Sequence, residues 1–203
     1  RLLAVRELSQ IADKIKSADA ILIGASNGLS ITEGLHLFAD NQAFEDLFGD
    51  FKRKYGIRCI LQGMGVKWPL EEEKWAFWSR LIHRYCGEYK ETQVMKDLKA
   101  IIGEKPYFVV TSNGECHFEL CGFGPEKIYE VEGNWLTMQC SHGCHNELHQ
   151  TPELAENMAA AQQHGRVPSQ EDNLIQNRHR PIIRRCACFA CLFRFLERER
   201  CFL

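Results

Sequence analysis

No apolar run in the 203-residue chain approaches the roughly 20 residues that a membrane-spanning helix needs, so none is expected. Charge of either sign is not in excess, 25 Lys+Arg standing against 27 Asp+Glu. No overall basic field can draw the chain to nucleic acid or to an anionic membrane, and neither is expected as a partner. The first residues, Arg1-Leu2-Leu3-Ala4-Val5-Arg6, hold too short an apolar stretch for a signal peptide. With no initiator Met, the sequence is expected to start inside a longer chain. There is no internal repeat.

What the chain has in number is cysteine, ten residues in all. They are not spread like a disulfide framework: Cys140, Cys144, Cys186, Cys188 and Cys191 fall in two tight clusters, the pattern of a metal site. That usage fits a reducing compartment, and an intracellular location, cytoplasmic or mitochondrial, is expected. With 45% hydrophobic and 26% charged residues, the length suffices for one substantial core plus a small satellite module.

Leu8, Ile11, Ala12 and Ile15 recur at helical spacing over residues 7–18 and predict an amphipathic helix. Ala20-Ile21-Leu22-Ile23-Gly24 then reads as a buried parallel strand, because both of its faces are apolar. Residues 44–102 read as helical with breaks. Phe44, Leu47, Phe48 and Phe51 form one face, Trp75, Phe77, Trp78, Leu81 and Ile82 another, with a loop at 62–69 between them. A second strand is predicted at Tyr107–Thr111 and a third at Ile128–Val131, and strands separated by helical stretches indicate a parallel sheet. From Trp135 the pattern turns to Cys, His and polar loops. A helix is expected at 151–163 and a polar linker at 164–181.

Between the first strand and the next helix lies Gly24-Ala25-Ser26-Asn27-Gly28-Leu29-Ser30. Small residues let the backbone approach a pyrophosphate, and a helix start supplies N–H donors, as in a dinucleotide-binding turn. Ser26 stands where the second glycine of GxGxxG would be, so taken alone the turn is equally readable as a tight strand-to-helix connection. It resembles the Gly-Ala-x-x-Gly-x-Ser loop of sirtuins, although the usual Pro-Asp-Phe-Arg continuation is missing. The block Phe44-Glu45-Asp46-Leu47-Phe48-Gly49-Asp50-Phe51, with Glu73-Lys74-Trp75 and Trp78-Ser79, is similar to the macrodomain-linked (class M) branch. Any one of those aromatics also reads as helix core.

The resemblance implies an α/β fold: a Rossmann-like parallel sheet with helices, lacking its C-terminal strands, plus a small zinc-binding module. It places an NAD-binding domain at 1–134, with a helical insertion at 35–102, the zinc module at 135–194 and an atypical tail at 195–203. Gly24, Ala25, Ser26, Gly28, Leu29 and Ser30 would hold NAD, with Asn113 and Glu115 of the Thr-x-Asn-x-Asp-like segment Thr111–Glu115. Asn113 would hold the nicotinamide ribose or the attacking water. Glu132 stands where deacylating sirtuins carry a His general base and class M enzymes typically a Gln. It is read as a base, or as a hydrogen-bonding stand-in for the amide. His117 is taken as structural.

Cys140-x3-Cys144 and Cys188-x2-Cys191 would bind one structural Zn²⁺, with Cys186 able to replace Cys188; His142 and His145 are ranked as loop residues. The activity implied is transfer of ADP-ribose from NAD to a protein, a lipoyl-carrier protein by resemblance, with a macrodomain protein as a further partner. Two alternatives remain: NAD-dependent protein-lysine deacylation, and a non-catalytic binding module held by zinc. The second draws on the absence of the Gly-Thr/Ser loop that complete sirtuins use for the adenosine half of NAD.

Overall fold

The computed structural model describes residues 2–140, 146–162 and 191–192. It opens with α1 (Leu2–Ser17), β1 (Ile21–Ala25) and the short α2 (Asn27–Thr32), which begins inside the glycine-rich turn. Leu8 and Ile11, on the apolar stripe of α1, remain exposed. Lys105 Nζ donates to the carbonyls of Lys16 (2.8 Å) and Ala18 (2.5 Å) and tethers the end of that helix.

The segment expected to be helical forms α3 (Gln42–Tyr55), α4 (Ile60–Met64), α5 (Glu71–Ile82), a π-helical turn at His83–Gly87, and α6 (Gln93–Ile102). Local signals set the boundaries of α3. Asn41 Oδ1 caps its start by accepting from the Phe44 N–H (2.9 Å), and Gly56 ends it with a left-handed φ of 69°. Helix α4 takes over part of the loop expected at 62–69. Ile60 and Met64, one turn apart, are both buried, and Gly63 lies so close to the Phe77 ring that a Cβ there would sit 2.3 Å from it.

Phe44, Phe48, Phe51, Phe77, Trp78, Leu81 and Ile82 are buried in one core cluster, with Leu47 and Trp75 packed against it. Phe48 stacks on Phe77 at 4.4 Å between ring centroids, and Phe51 meets the same ring edge-on at 5.7 Å. The cluster also takes in Trp135, Met138, Leu154, Ala155 and Met158, so the residues from Trp135 onward pack on the helical block. Beside it, Arg80 of α5 clamps Asp50 of α3 with two 2.8 Å bonds, and also reaches the Leu47 carbonyl (3.1 Å) and Gln162 Oε1 (2.6 Å). Charges this deep are tolerated because the fork satisfies both carboxylate oxygens.

The chain is α/β: β1, β2 (Tyr107–Thr111) and β3 (Ile128–Glu130) form a three-stranded, all-parallel sheet in that order. Ala25 stands opposite Thr111, and Thr111 opposite Glu130. The third strand is one residue shorter than predicted, although the Val131 N–H still donates to the Thr111 carbonyl (2.9 Å). One face of the sheet packs through Ile21, Ile23, Val109 and Ile128 into a second core cluster with Met95, Ile102 and Phe118. On the other face Leu22, Phe108 and Tyr129 are exposed, so β1, expected to be buried on both faces, is covered on one only.

After β2 come α7 (His117–Leu120) and a 3₁₀ turn at Pro125–Lys127. A second sheet was not legible in the sequence: β4 (Thr137–Cys140) runs antiparallel between β5 (Leu148–Gln150) and β6 (Cys191–Leu192). Helix α8 (Pro152–Ala160) follows β5, three residues shorter than expected at its C-terminal end. Cys144, Cys186, Cys188, His142, His145, the 164–181 segment and the 195–203 tail lie outside the described residues. Among the described residues no helix is long and apolar enough to cross a membrane.

Replacing Arg80 with Leu strands the Asp50 carboxylate in the interior, which costs about 3–5 kcal/mol. Urea unfolding should show that loss, and Arg80→Lys, which keeps the charge but not the fork, should recover only part of it.

Candidate functional site

Because all three strands of the first sheet run parallel, their C-terminal ends share one edge, and the segments at 26–30, 112–116 and 131–134 emerge there together. Ligands bind at such edges in open α/β sheets. The first two segments are bonded directly. The Ser112 N–H extends the strand ladder to the Ala25 carbonyl (3.2 Å), Ser112 Oγ donates to Ser26 Oγ (2.9 Å), and Asn113 Nδ2 donates to the Ser26 carbonyl (3.1 Å). The Asn113 side chain is therefore fixed by one end of its amide. Its Oδ1 makes no hydrogen bond among the described residues.

Gly24 and Gly28 differ from the packing glycines: a Cβ on either would meet nothing within 4 Å. No protein atom requires glycine there, and the space beside the turn is open. Asn27, which sequence reasoning passed over, has its Oδ1 buried with no partner among the described residues. An orphaned buried acceptor in an otherwise bonded turn is the kind of group that awaits a donor. The missed signal was the residue type itself, an amide inside a small-residue turn.

Ser30 and Glu115 face inward. Ser30 Oγ donates to Glu115 Oε1 (2.7 Å) and both residues are buried, so they lash α2 to the segment after β2. Burial pushes the Glu115 carboxyl above the ordinary carboxylate range, while the His117 charge and the Ser30 hydroxyl pull it back in part. Glu132 lies on the turn after β3 and its side chain is exposed. That turn needs Gly133, whose φ is 81°, and Asn134 closes it by donating Nδ2 to Glu130 Oε2 (2.6 Å) while accepting from the Thr137 N–H (3.1 Å). The Trp135 N–H donates to the Gly114 carbonyl (2.8 Å), and a Cβ on Gly114 would lie 2.6 Å from Trp135 Nε1, so Gly114 is required by packing.

Behind this edge a buried polar network joins three stretches of chain. Glu33, just past α2, accepts from Tyr89 Oη (2.7 Å), Thr92 Oγ1 (2.7 Å) and His117 Nδ1 (2.8 Å). His117 Nε2 donates to the Tyr85 carbonyl (2.9 Å), and the ring stacks on Tyr89 at 3.8 Å. Burial raises the Glu33 carboxyl, but the bonds from His117, Thr92 and Tyr89 and the His117 charge overcome it and hold the group below its ordinary range. The structural reading of His117 agrees with these contacts.

The two strands nearest the cysteine clusters also meet. Cys140 of β4 is the cross-strand partner of Cys191 of β6, so one member of each sequence pair stands opposite the other on adjacent backbones. Residues opposed in this way are about 4.5–5.5 Å apart at Cα.

No family model matches the chain. The chain is 29% identical over 154 residues to a protein ADP-ribosyltransferase of Staphylococcus aureus strain Mu50, a match that covers 76% of this chain and 48% of that protein. It is 27% identical over 141 residues to a probable bifunctional ADP-ribose hydrolase/ADP-ribosyltransferase of Fusarium oxysporum f. sp. cubense, covering 68% of this chain and 23% of that protein. The relationship is thus to proteins named ADP-ribosyltransferases, and the chain spans less than half the length of either.

Glu33 and Glu115 respond to pH with opposite sign. Glu33 is depressed from 4.5, so its contribution is complete above that value and is lost as pH falls through the lower folded value. Glu115 is raised from 4.5, so its ionisation costs stability as pH climbs through the higher folded value, and below 4.5 the cost vanishes. Glu33→Gln should destabilise the protein at pH 7 and flatten the acid limb of a stability-versus-pH curve. Glu115→Gln, which retains an acceptor for Ser30, should be more stable than wild type at pH 8 and equal to it in acid.

Proposed function

We propose that this chain is the nucleotide-binding and zinc-bearing part of a sirtuin-type, NAD-dependent protein ADP-ribosyltransferase. The observation that carries the reading is the direct bonding of the 24–30 turn to Asn113 at the C-terminal edge of a parallel sheet, where Glu132 also emerges. The names of the two relatives support the reaction class.

The residues present fit NAD. The open space beside Gly24 and Gly28 admits a pyrophosphate against the backbone, and the orphaned Asn27 Oδ1 and the unengaged Asn113 Oδ1 can accept from ribose hydroxyls. Bound NAD supplies an ADP-ribosyl group with nicotinamide as its leaving group. Within this reading the chain's own residues have distinct tasks. The turn Gly24–Ser30 seats the dinucleotide; Asn113, held by Ser26, orients the ribose; Ser30 and Glu115 hold α2 in place. Glu132, exposed and without a partner among the described residues, takes a proton or a hydrogen bond from the acceptor side. A Rossmann-like domain over 1–134 and a zinc module over 135–194 belong to the same reading. The donor set of the second, with Cys140 and Cys191 paired in register on adjacent strands, suits a closed structural Zn²⁺ site in which Cys144 and either Cys188 or Cys186 supply the rest. The acceptor proposed is a lipoyl-carrier protein.

Incubation with labelled NAD and a lipoylated carrier should label the carrier. Label recovered instead as O-acyl-ADP-ribose from an acyl-lysine peptide would replace this reading with deacylation, and no NAD binding at millimolar concentration would leave a non-catalytic module. Gly28→Ala separates site from scaffold. With nothing near its Cβ and a helical position, it should stabilise the fold by about 0.5–1 kcal/mol in urea unfolding, yet weaken NAD binding measured by calorimetry. Asn113→Ala should lower transfer by about 10²-fold through misplacement of the ribose. Glu132→Gln should keep activity if the group only bonds, and lose about 10²–10⁴-fold if it takes a proton. The purified protein should carry at least one zinc per chain by elemental analysis, with one equivalent fewer in Cys140→Ser.

A further inference from the structure

A second group of ligand-type side chains lies at the same sheet edge, apart from the residues read as holding NAD and from the Cys140 cluster. Cys116, at the start of α7, Glu119 within it and Glu130 at the end of β3 bring one sulfur and two carboxylate oxygens within 4.8 Å of one another. Cys116 is buried and the two glutamates are half-buried. We propose that Cys116, Glu119 and Glu130 form a divalent-cation site for a borderline-soft metal of the zinc type.

Three observations support it. The first is the donor set. A thiolate with two carboxylates selects Zn²⁺-like ions over Mg²⁺ or Ca²⁺, which take oxygen only. Zn–S and Zn–O bonds of about 2.3 and 2.0–2.2 Å are compatible with ligand atoms that all lie within 4.8 Å of one another. The second is electrostatic. Neither carboxylate has an ion pair among the described residues, so two acids and a thiol share one spot there without a paired cation. The third is orientation. Asn134 Nδ2 holds Glu130 Oε2 at 2.6 Å and is itself held by Thr137, an outer contact of the kind that aims metal-binding carboxylates.

On binding, the Cys116 thiol proton leaves to solvent as the sulfur–metal bond forms. Three protein ligands leave a fourth, solvent-facing position. An occupied site would tie α7 to the end of β3 and so brace the turn that carries Glu132. The inference stands on its own residues and does not require the reading of NAD chemistry.

Cobalt(II) is a suitable probe, because thiolate coordination gives it a near-ultraviolet charge-transfer band. The protein as purified is titrated with Co²⁺, and bound metal is counted per chain in wild type, Cys116→Ser, Glu119→Gln and Glu130→Gln. Wild type is expected to take up one more equivalent than Cys116→Ser, with added charge-transfer absorbance. Glu119→Gln, which alters a half-buried residue and keeps all ten cysteines, is expected to bind that equivalent about tenfold or more weakly. Equal uptake and affinity in all four proteins would overturn the assignment. So would an equivalent that disappears only when Cys140 or Cys191 is replaced.

Discussion

The buried pairing of Glu33 with His117 is the constraint around which the sheet edge is organised. It links the chain just after α2, the stretch between α5 and α6 through Tyr85, Tyr89 and Thr92, and the segment leaving β2. The anchored residues sit in short pieces between the longer elements, a loop, a π-helical turn and the single-turn α7, and the shared bonds fix these relative to one another. A fully bonded polar network in the interior is costly to form but strongly directional, because removing any partner leaves a buried polar group unmatched. The Ser30–Glu115 bond adds a second lashing between α2 and the same segment. The exposed turn at 26–28 and the amide of Asn113 are therefore held from behind by groups that face away from solvent.

The helical block serves the edge differently. Its aromatics form one stacked cluster from Phe44 to Trp78, and Trp135 joins that cluster while its N–H fixes the Gly114 carbonyl. A single side chain thus connects the hydrophobic interior to the peptide beside Asn113. The aromatics that resembled a family signature are, in the folded chain, core residues.

Legibility varied with how local the signal was. The three parallel strands were visible because each is a short apolar run between helical stretches, although one face of the sheet is exposed; their order β1-β2-β3 was not legible in the sequence. Thr-Met-Gln-Cys and Leu-His-Gln, the strands β4 and β5, are short and mostly polar, with nothing to separate them from loop. The Asn113-Gly114 pair pointed to a turn, but the left-handed residue is Cys116, with φ 61°, and a cysteine there has no sequence signature. Glu33, Tyr89 and Asn27 were missed for one reason. Their roles come from partners distant in sequence, or from the lack of one, and no window along the chain contains that information.

The register of β1 against β2 has a kinetic consequence. Ser26 and Ser112 are 86 residues apart, and everything between them except the strand itself is helix and loop built from nearby contacts. The entropy of closing such a loop grows only logarithmically with its length, but it is unfavourable until the non-local pairing compensates it. The Ser26–Asn113 contact cannot form before that closure, whereas the aromatic helices between can assemble beforehand. A nascent chain must therefore expose Asn113 and its neighbours, unengaged, until the two strands find each other.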